Sequence, residues 1–474
     1  MARGVKKEKA KAMLTPEEKL AAALVPVEEQ PYRVPGNWCW VYGKAFLRPM
    51  ETKKPTGDVF TYIDIDSVDN KRQEVTEPKK VKTNEAPSRA SRALHSGDTI
   101  FSMVRPYLKN IAYIDNTIAD SIASTGFYVC SPRAEVFSKY NFYMMISPYV
   151  IDGLNTYMKG DNSPSIRKEN IEQFPFPIPP FSEQHRIVHR INSLFAKLDE
   201  AKEKAQAVVD SFEDRKAAIL HKAFTGELTQ NWRKSNKVDY SSWKTKTLSD
   251  TSIQIIDGDR GKNYPRKDEF SPEGYCIFLS AKNVTKRGFV FKECEYITKE
   301  KDELLHNGKL ERGDMVMTTR GTIGNVAIYD DTVPFEHLRI NSGMVIYRGG
   351  NEFVKQYLIW LYQSEMITNQ IDVLSTGTAQ PQLPIKVMNA LQLPIPPLDE
   401  QTEIISVLDR MIEKEVNAKE AAEQTLSQID TMKKSILARA FRGELGTNDP
   451  TDENAIELLR KMLQTESEAK QHED

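Results

Sequence analysis

Two long stretches of the chain carry apolar residues at alternating spacings of four and three positions. The first stretch has them at Ile187, Ile191, Leu194, Leu198, Ala201, Ala205, Val208, Phe212 and Ile219, with Arg215 as a break. The second has them at Ile404, Leu408, Met411, Ala418, Ala422, Ile429, Met432 and Ile436, with Glu415 and Thr425 as breaks. A repeat near 3.5 residues predicts a coiled coil, because the apolar stripe of an ordinary surface helix is wider. Each helix of about 40 residues is expected to be about 60 Å long.

Both predicted helices carry capping signals at their ends. Ser182 and Asp399 follow proline pairs and are candidate N-caps, while Gly226 and Gly443 are candidate C-caps. The simplest partner for each apolar seam is the other helix. An antiparallel pair would carry the domains that precede the helices to opposite ends of a rod. A parallel pair, which the pattern leaves open, would place both at one end.

The helices belong to an internal repeat. PIPPFSEQHRIVHRI at residues 177–191 returns as PIPPLDEQTEIISVL at 394–408, and AFTGEL at 223–228 returns as AFRGEL at 440–445. One shift of 217 residues, from Pro177 to Pro394, aligns both pairs without a gap. An ungapped match of this kind indicates a domain followed by a long helix, present twice.

The domains before the helices resemble each other more weakly. Gly-Asp with a following arginine occurs at 97–105 and again at 313–320, Ser-Thr-Gly at 124–126 matches Asn-Ser-Gly at 341–343, and the loop 160–167 matches 377–384. Short β-branched and aromatic segments such as residues 59–63, 111–114, 326–329 and 345–347 predict strands. Residues 353–370 and 456–463 predict helices, and Thr15 to Glu18 is a capping box. The predicted fold class is α+β, with two mixed domains each followed by a long helix. Divergent domains on a preserved frame suggest two different targets.

Composition limits the chemistry. The chain has 474 residues, 39% of them hydrophobic, which allows two or three domains. Its four cysteines form no CxxC pair, and no apolar run approaches the roughly 18 residues of a membrane-spanning helix. We therefore expect a cytoplasmic protein. Phosphate-loop, dinucleotide-binding, zinc-protease and serine-hydrolase motifs are missing, and the pair His185 and His189 is interpreted as helix surface.

Charge is distributed unevenly along the chain. The formal net charge is -2, which is not typical of a simple nucleic-acid-binding domain. Basic windows nevertheless lie at residues 71–92 and 260–292, one in each divergent domain, whereas residues 449–474 are acidic. Such windows predict anion-binding faces, although charge runs also mark merely solvated surfaces.

Together, the doubled PIPPxxEQ helix start, the AFxGEL helix end and the Gly-Asp strand motif resemble the DNA-specificity subunits of Type I restriction-modification enzymes. The resemblance implies an N-terminal helical extension (1–29), target-recognition domain 1 (30–180), spacer helix 1 (181–228), a linker (229–242), target-recognition domain 2 (243–397), spacer helix 2 (398–445) and an acidic tail (446–474). It also implies that the two helices pair antiparallel and that their length fixes the gap in a split double-stranded DNA site.

The resemblance further implies the partners. Two modification subunits would bind S-adenosylmethionine and methylate adenine N6, and restriction subunits would use ATP and Mg²⁺. This chain would hold no cofactor. Two alternatives stay open: a coiled-coil protein adaptor that does not read DNA, and a stand-alone DNA-modifying enzyme, against which the missing catalytic motifs argue.

Candidate DNA-binding residues come from the basic windows and the two matched loops. In the first domain they are Lys71, Arg72, Lys79, Lys80, Lys82, Arg89, Arg105, Asn162, Ser163 and Arg167; in the second, Arg260, Lys262, Arg266, Lys267, Lys286, Arg287, Arg320, Gln380 and Gln382. Arg105 and Arg320 rank first because both follow the Gly-Asp strand, although each could instead pair with a carboxylate inside the fold. The loop amides could read adenine or cap a turn. Candidate anchors for the modification subunits are Phe181, Phe224, Leu398 and Phe441, for which packing in their own domains is the alternative.

Overall fold

The computed structural model describes residues 15–377 and 381–472, with side chains described as far as residue 465. Its helices are α1 Pro16–Ala23, α2 Gly43–Phe46, α3 Ser138–Met145, α4 Pro148–Asn155, α5 Lys168–Glu172, α6 Phe181–Asp210, α7 Phe212–Phe224, α8 Gln230–Asn236, α9 Lys299–Leu304, α10 Lys355–Tyr362, α11 Glu365–Leu374, α12 Ile385–Met388, α13 Leu398–Ala440 and α14 Ala455–His472. Within the described residues, no helix is both long enough and apolar enough to span a membrane.

The strands alternate with these helices in two similar series. The first series is β1 Cys39–Tyr42, β2 Val59–Ile63, β3 Val68–Asp69, β4 Glu74–Val75, β5 Lys79–Lys82, β6 Ala90–Ala93, β7 Thr99–Ser102, β8 Ile111–Tyr113, β9 Ile122–Ser124, β10 Phe127–Cys130 and β11 Pro175–Ile178. The second is β12 Lys244–Thr247, β13 Ile253–Asp257, β14 Cys276–Leu279, β15 Val284–Thr285, β16 Gly288–Phe289, β17 Tyr296–Ile297, β18 Asp314–Thr318, β19 Val326–Tyr329, β20 Leu338–Ile340, β21 Met344–Gly349 and β22 Gln392–Ile395.

The chain forms two compact units that do not follow the repeat boundaries. Unit 1 comprises residues 1–204 and 425–474, and unit 2 comprises 205–424. In unit 1 the sheets have the orders β5-β2-β9-β6 and β10-β7-β8, and β1 pairs with β11. In unit 2 the orders are β13-β21-β18-β19 and β17-β14-β20, and β12 pairs with β22. The mixed helix and strand content confirms the predicted fold class.

In each unit a segment of one long helix lies antiparallel to a segment of the other. In unit 1, Asp199 pairs with Lys433 at 2.6 Å, while Ile187 shares a core with Leu437. In unit 2, Arg215 Nε lies 2.6 Å from Glu415 Oε2, and Ile219 shares a core with Ile404 and Ile412. Two of the three polar breaks of the predicted seams, Arg215 and Glu415, therefore meet each other, which favours this register over its neighbours.

Several details of the predicted helices were wrong. The first helix is interrupted at Ser211, between α6 and α7. Because α6 and α13 begin at Phe181 and Leu398, Ser182 and Asp399 lie within the first turn and are not the N-caps. Ala418 and Met432, which were predicted in the seam, are exposed, and Leu437, which was not, is buried; Ala422 and Ile429 are buried as predicted. The glycine C-caps are confirmed: Gly226 and Gly443 both adopt positive φ, 77° and 75°.

The expected linker and acidic tail are also more structured than their polarity suggested. Residues 230–236 form α8, and Arg233 is buried in unit 2. Helix α14 contributes Leu458, Leu459 and Met462 to the core of unit 1 and contacts α1. The apolar stripe predicted at residues 456–463 is thus the buried face of a helix, and Glu457 and Arg460 lie on its exposed face.

Candidate nucleic-acid interface

Three segments of unit 1 that resemble their counterparts in the second domain only weakly meet at one place. The Met103 amide donates to the carbonyl oxygen of Gly126 at 2.9 Å, and the Ile166 amide donates to the carbonyl oxygen of Met103 at 2.9 Å. These bonds join the segment after β7, the 124–126 turn and the 160–167 loop. The candidates Arg105, Asn162 and Ser163 are exposed around this junction.

Unit 2 builds the same junction with equivalent bonds. The Thr319 amide donates to the carbonyl oxygen of Gly343 at 2.8 Å, and the Leu383 amide donates to the carbonyl oxygen of Thr319 at 3.0 Å. The candidate Gln382 is half-buried here, and its backbone exchanges two 2.9 Å hydrogen bonds with Thr376. Gln380 lies outside the described residues. The two units therefore share the backbone hydrogen bonds of this junction but differ in the side chains that surround it.

The two highest-ranked arginines are not equivalent in this frame. Arg320 forms a bridge with Gln382, whereas the matching bridge in unit 1 joins Ser165 to Val104. Arg105 stands one residue further on, in the left-handed conformation at φ 48°, and its guanidinium donates to the carbonyl oxygen of Asn162 at 2.8 Å. The prediction that they are repeat partners was wrong, because Arg320 corresponds to Val104, the residue before Arg105. Both side chains are exposed.

The other basic candidates of unit 1 are exposed and fall into three groups. Arg89 adjoins the junction, since its carbonyl oxygen accepts the Thr125 amide at 2.8 Å, and Arg167 precedes α5. Lys79, Lys80 and Lys82 follow one another along β5, an outer strand of its sheet. An ion pair with Asp64 raises the pKa of Lys79. Lys71 and Arg72 lie apart from these, on the turn between β3 and β4.

In unit 2 the basic candidates are likewise exposed but are carried by other elements. Arg260 adjoins the junction, because its guanidinium donates to the carbonyl oxygen of Ser342 at 3.3 Å and to Asp257 at 3.1 Å. Lys262, Arg266 and Lys267 lie on the segment that follows it. Lys286 and Arg287 form the tip of the β15–β16 hairpin. Burial lowers the pKa of Lys216 on α7, and the positive charges of this hairpin lower it further.

The motif EQ at the start of each long helix has a structural role that sequence reasoning missed. Gln184 accepts the Phe137 amide at 2.7 Å and donates to the Pro179 carbonyl oxygen at 3.1 Å. Gln401 does the same with Val354 and Pro396, both at 2.8 Å. Each glutamine thus fixes its helix to its own domain, which explains why these letters are preserved while the domains diverge.

The glutamates of the motif bind the segment that follows the other long helix. Glu183 is fully buried and accepts the Trp38 indole N–H at 2.7 Å, the Asn448 amide at 2.8 Å and the Thr447 hydroxyl at 3.2 Å. Glu400 is also fully buried. It accepts the Thr229 hydroxyl at 2.6 Å, Arg233 at 2.5 Å and the Trp243 indole N–H at 2.9 Å. The sequence signals for these partners were a tryptophan at the start of each domain and a threonine after each GEL.

Two of the four candidate partner anchors are not available at the surface. Phe224 and Phe441 lie in the cores of unit 2 and unit 1, where their rings contact Tyr357 and Tyr140. Phe181 and Leu398 are exposed, at 41% and 48% of their surface. Among the described residues, no cluster of three histidine, cysteine or acidic side chains could hold a metal ion.

The sequence pattern of the Type I restriction modification DNA specificity domain matches residues 47–209 and 240–427, more than half of the chain. The chain belongs to this family. It is 24% identical over 331 residues to the Type I restriction enzyme EcoKI specificity subunit of Escherichia coli K12, covering 67% of this chain and 68% of that protein. It is 24% identical over 338 residues to the StySPI specificity subunit of Salmonella potsdam, covering 68% and 69%.

A solved structure of the same family shares the fold. The HsdS subunit from Thermoanaerobacter tengcongensis superposes with a TM-score of 0.68 at 23% identity, covering 88% of this chain and 100% of that one. Specificity subunits are the non-catalytic components of restriction-modification systems that recognise the DNA target, and this is the role of the chain. The two matched regions each contain one of the junctions described above.

Proposed function

We propose that this specificity subunit recognises a bipartite, asymmetric double-stranded DNA target, with one half-site read by each unit. The observation that supports this most directly is the junction built by the same backbone hydrogen bonds in both units and decorated differently. Arg105 and Asn162 occupy it in unit 1, and Arg320 and Gln382 occupy it in unit 2. Two units that share this backbone junction but differ in its side chains would select different bases, which makes the target asymmetric.

The side-chain chemistry allows some residues to contact phosphates and others to contact bases. Exposed lysines along β5 and at the β15–β16 hairpin would contact phosphates, which supply affinity and its salt dependence but carry no sequence information. Arginine can bind guanine O6 and N7 in a bidentate manner, and the amides of asparagine and glutamine can do so for adenine. The junction residues are therefore the proposed base readers, and the lysines are the proposed phosphate contacts.

The proposal includes the partners that the family implies. Two modification subunits bind S-adenosylmethionine and methylate adenine N6, restriction subunits use ATP and Mg²⁺, and the length of the spacer helices sets the gap between half-sites. The exposed Phe181 and Leu398 at the two helix starts are the proposed docking positions for the modification subunits. They are equivalent in the repeat, as two copies of one partner require.

The test is to map N6-methyladenine by single-molecule sequencing in cells that express the chain with its modification subunit. Arg105→Lys and Arg320→Lys keep the charge for phosphate but lose the bidentate fork. Each variant is expected to relax one half-site, a different one for each, with a cost of about 1–3 kcal/mol at the affected base pair. Lys204→Ala, which removes an exposed helix-surface ion pair with Glu200, is the matched control and should leave the pattern unchanged.

The outcomes separate this proposal from its alternatives. Methylation that does not depend on the chain, in a complex shown to assemble, would favour the adaptor. An adaptor would also show no salt-dependent DNA affinity, whereas each phosphate contact contributes about -0.9 to the slope of log K against log salt. Methylation or cleavage by the isolated chain with DNA, Mg²⁺ and S-adenosylmethionine would favour the stand-alone enzyme.

A further inference from the structure

The connection between β7 and β8, beside the junction of unit 1, exposes two large apolar side chains. Tyr107 and Leu108 expose 45% and 40% of their surface. They lie on one tight turn, Pro106–Leu108, which directly follows Arg105. A single exposed apolar side chain needs no explanation, but two adjacent ones beside a proposed DNA contact form a small apolar surface that the chain leaves uncovered.

Hydrogen bonds hold this turn in one position. The Arg105 amide donates to the carbonyl oxygen of Pro164 at 2.8 Å, and the Arg105 guanidinium donates to that of Asn162 at 2.8 Å. The Lys109 amide donates to the carbonyl oxygen of Pro106 at 2.9 Å, and Pro106 itself is buried. The two exposed side chains are therefore presented at a fixed place, which lowers the entropy cost of a contact with a ligand.

The matching connection of unit 2, between β18 and β19, is closed by the same hydrogen bond. The Ser102 amide donates to the carbonyl oxygen of Asn110 at 3.1 Å, and the Thr318 amide donates to that of Asn325 at 3.0 Å. These bonds align the two connections at both ends, with one more residue in unit 1 than in unit 2. The positions nearest to each end can therefore be compared directly.

Glycine occupies the left-handed positions of unit 2, whereas residues with side chains occupy those of unit 1. Gly321 and Gly324 have φ of 74° and 87°, and their counterparts Arg105 and Lys109 have φ of 48° and 59°. Ile323, the apolar residue of the unit 2 connection, is half-buried and packs against the core of its unit. Unit 1 thus keeps a strained turn with uncovered apolar side chains, and strain that a protein retains in this way points to a function.

The neighbours of the turn indicate what it contacts. Arg105 and Asn162 are proposed base readers, and in the major groove a guanidinium can bind guanine while an amide can bind adenine. The apolar group that base edges present in the same groove is the C5 methyl group of thymine, which has no counterpart in the minor groove. An apolar side chain beside these readers is therefore complementary to thymine.

We propose that Tyr107 and Leu108 select thymine in the half-site of unit 1 by covering its C5 methyl group. The equivalent connection of unit 2, which the structure describes in full, exposes no large apolar side chain, so the preference belongs to one half-site. This inference rests on the proposed function, because it requires unit 1 to bind DNA. It adds a base identity that the proposed function leaves open.

Replacing thymine by uracil tests the contact, because uracil pairs with adenine in the same way but lacks the methyl group. The complex of the chain with its modification subunit is titrated with duplexes that carry the target mapped by methylation, each with one thymine replaced by uracil. The half-site of unit 1 is the one that Arg105→Lys relaxes. One replacement in this half-site should raise the Kd of the wild-type complex about fourfold, the factor expected for burying one methyl group.

The variants assign this response to the turn. Leu108→Ala and Tyr107→Ala should reduce the ratio of the two Kd values to below about two, because less apolar surface covers the methyl group. Tyr107→Phe keeps the ring and should retain the wild-type ratio. Leu304→Ala is the matched control, since Leu304 is 54% exposed but lies in unit 2, and it should also retain the wild-type ratio.

Several outcomes would overturn the inference. They are a half-site of unit 1 without thymine, a wild-type complex in which no thymine of that half-site responds to uracil, and a wild-type ratio that persists in both alanine variants of the turn. Leu108→Ala might instead weaken assembly with the modification subunit and leave the ratio unchanged. The turn would then contact protein, which also overturns the inference. If the wild-type chain directs no methylation to a split site, the proposed function fails and the inference fails with it.

Discussion

Replacing each buried glutamate of the EQ motifs by glutamine should have unequal effects in the two units. Glutamine is nearly the same size as glutamate, but it offers one acceptor oxygen and one donor amide. In unit 1 it fits: its oxygen can keep Trp38 and Asn448, and its amide can donate to the hydroxyl of Thr447. Glu183→Gln therefore loses only the charge assistance of its hydrogen bonds, about 1–2 kcal/mol.

In unit 2 no orientation of glutamine satisfies all three partners. If the oxygen faces Thr229 and Arg233, the amide faces the indole N–H of Trp243, and the reverse orientation opposes the amide to the guanidinium. Arg233 also loses its counter-charge, with only 9% of its side chain exposed. Removing one partner of a buried pair costs about 3–5 kcal/mol. Glu400→Gln should thus destabilise unit 2 by about 2–3 kcal/mol more than Glu183→Gln destabilises unit 1.

Hydrogen exchange of peptides from each unit is the appropriate assay, because a protein of two units need not unfold in one step. The double variant Glu400→Gln with Arg233→Met should recover part of the loss, since it removes the unpaired cation. Equal costs for the two single variants, or a larger cost at Glu183, would refute the reasoning that the acceptor count and the counter-charge decide the outcome.

Three further changes test other features of the fold. Gly446→Ala should cost roughly 1 kcal/mol of left-handed strain, and Gly443→Ala should destabilise unit 1 by more than this. The reason is that the new Cβ at residue 443 clashes with the ring of Pro35, whereas the one at residue 446 meets open space; denaturant midpoints would show the difference. Lys216→Met should stabilise unit 2 at neutral pH. Burial lowers the pKa of this lysine in the folded state, so below that pKa its charge opposes folding. As the pH rises from the lowered pKa towards 10.5, the folded state loses this charge, and the stability gained by Lys216→Met should shrink. Denaturation at several pH values measures this change. Arg215→Met should cost about 1 kcal/mol by leaving Glu415 unpaired in the seam, and replacing both residues by methionine should recover it in a double-mutant cycle.

The sequence predicted the features that depend on local pattern. Strands β2 and β19 have the bounds that their β-branched and aromatic residues indicated, and the capping box of Thr15 and Glu18 is present in full. The doubled helix signal predicted which segments share a seam. These features follow from residues that are near one another in the chain, or from a repeat that compares the chain with itself.

The features that were missed depend on contacts distant in the chain. Nothing in the letters EQ shows that Glu400 meets Arg233, which lies 167 residues away, because a buried carboxylate and an exposed one look the same in a sequence. The offset between Arg105 and Arg320 was hidden because only the ladder register reveals it. Likewise, the apolar stripe at residues 456–463 predicted a helix, but the stripe alone did not show that this face packs into the core of unit 1.

The division of the chain into units has a consequence for how the protein is made. Unit 2 is continuous, residues 205–424, so all of it is synthesised before the segment from residue 425 onwards that completes unit 1. Unit 1 begins first but finishes last, because Thr447 and Asn448 must arrive before Glu183 has its partners and α14 before its core is closed. The part of unit 1 before residue 205 therefore waits with an exposed apolar surface while unit 2 is synthesised, the condition under which chains aggregate or recruit chaperones. A premature stop near the C-terminus would damage the domain that was synthesised first and spare the one that was synthesised second.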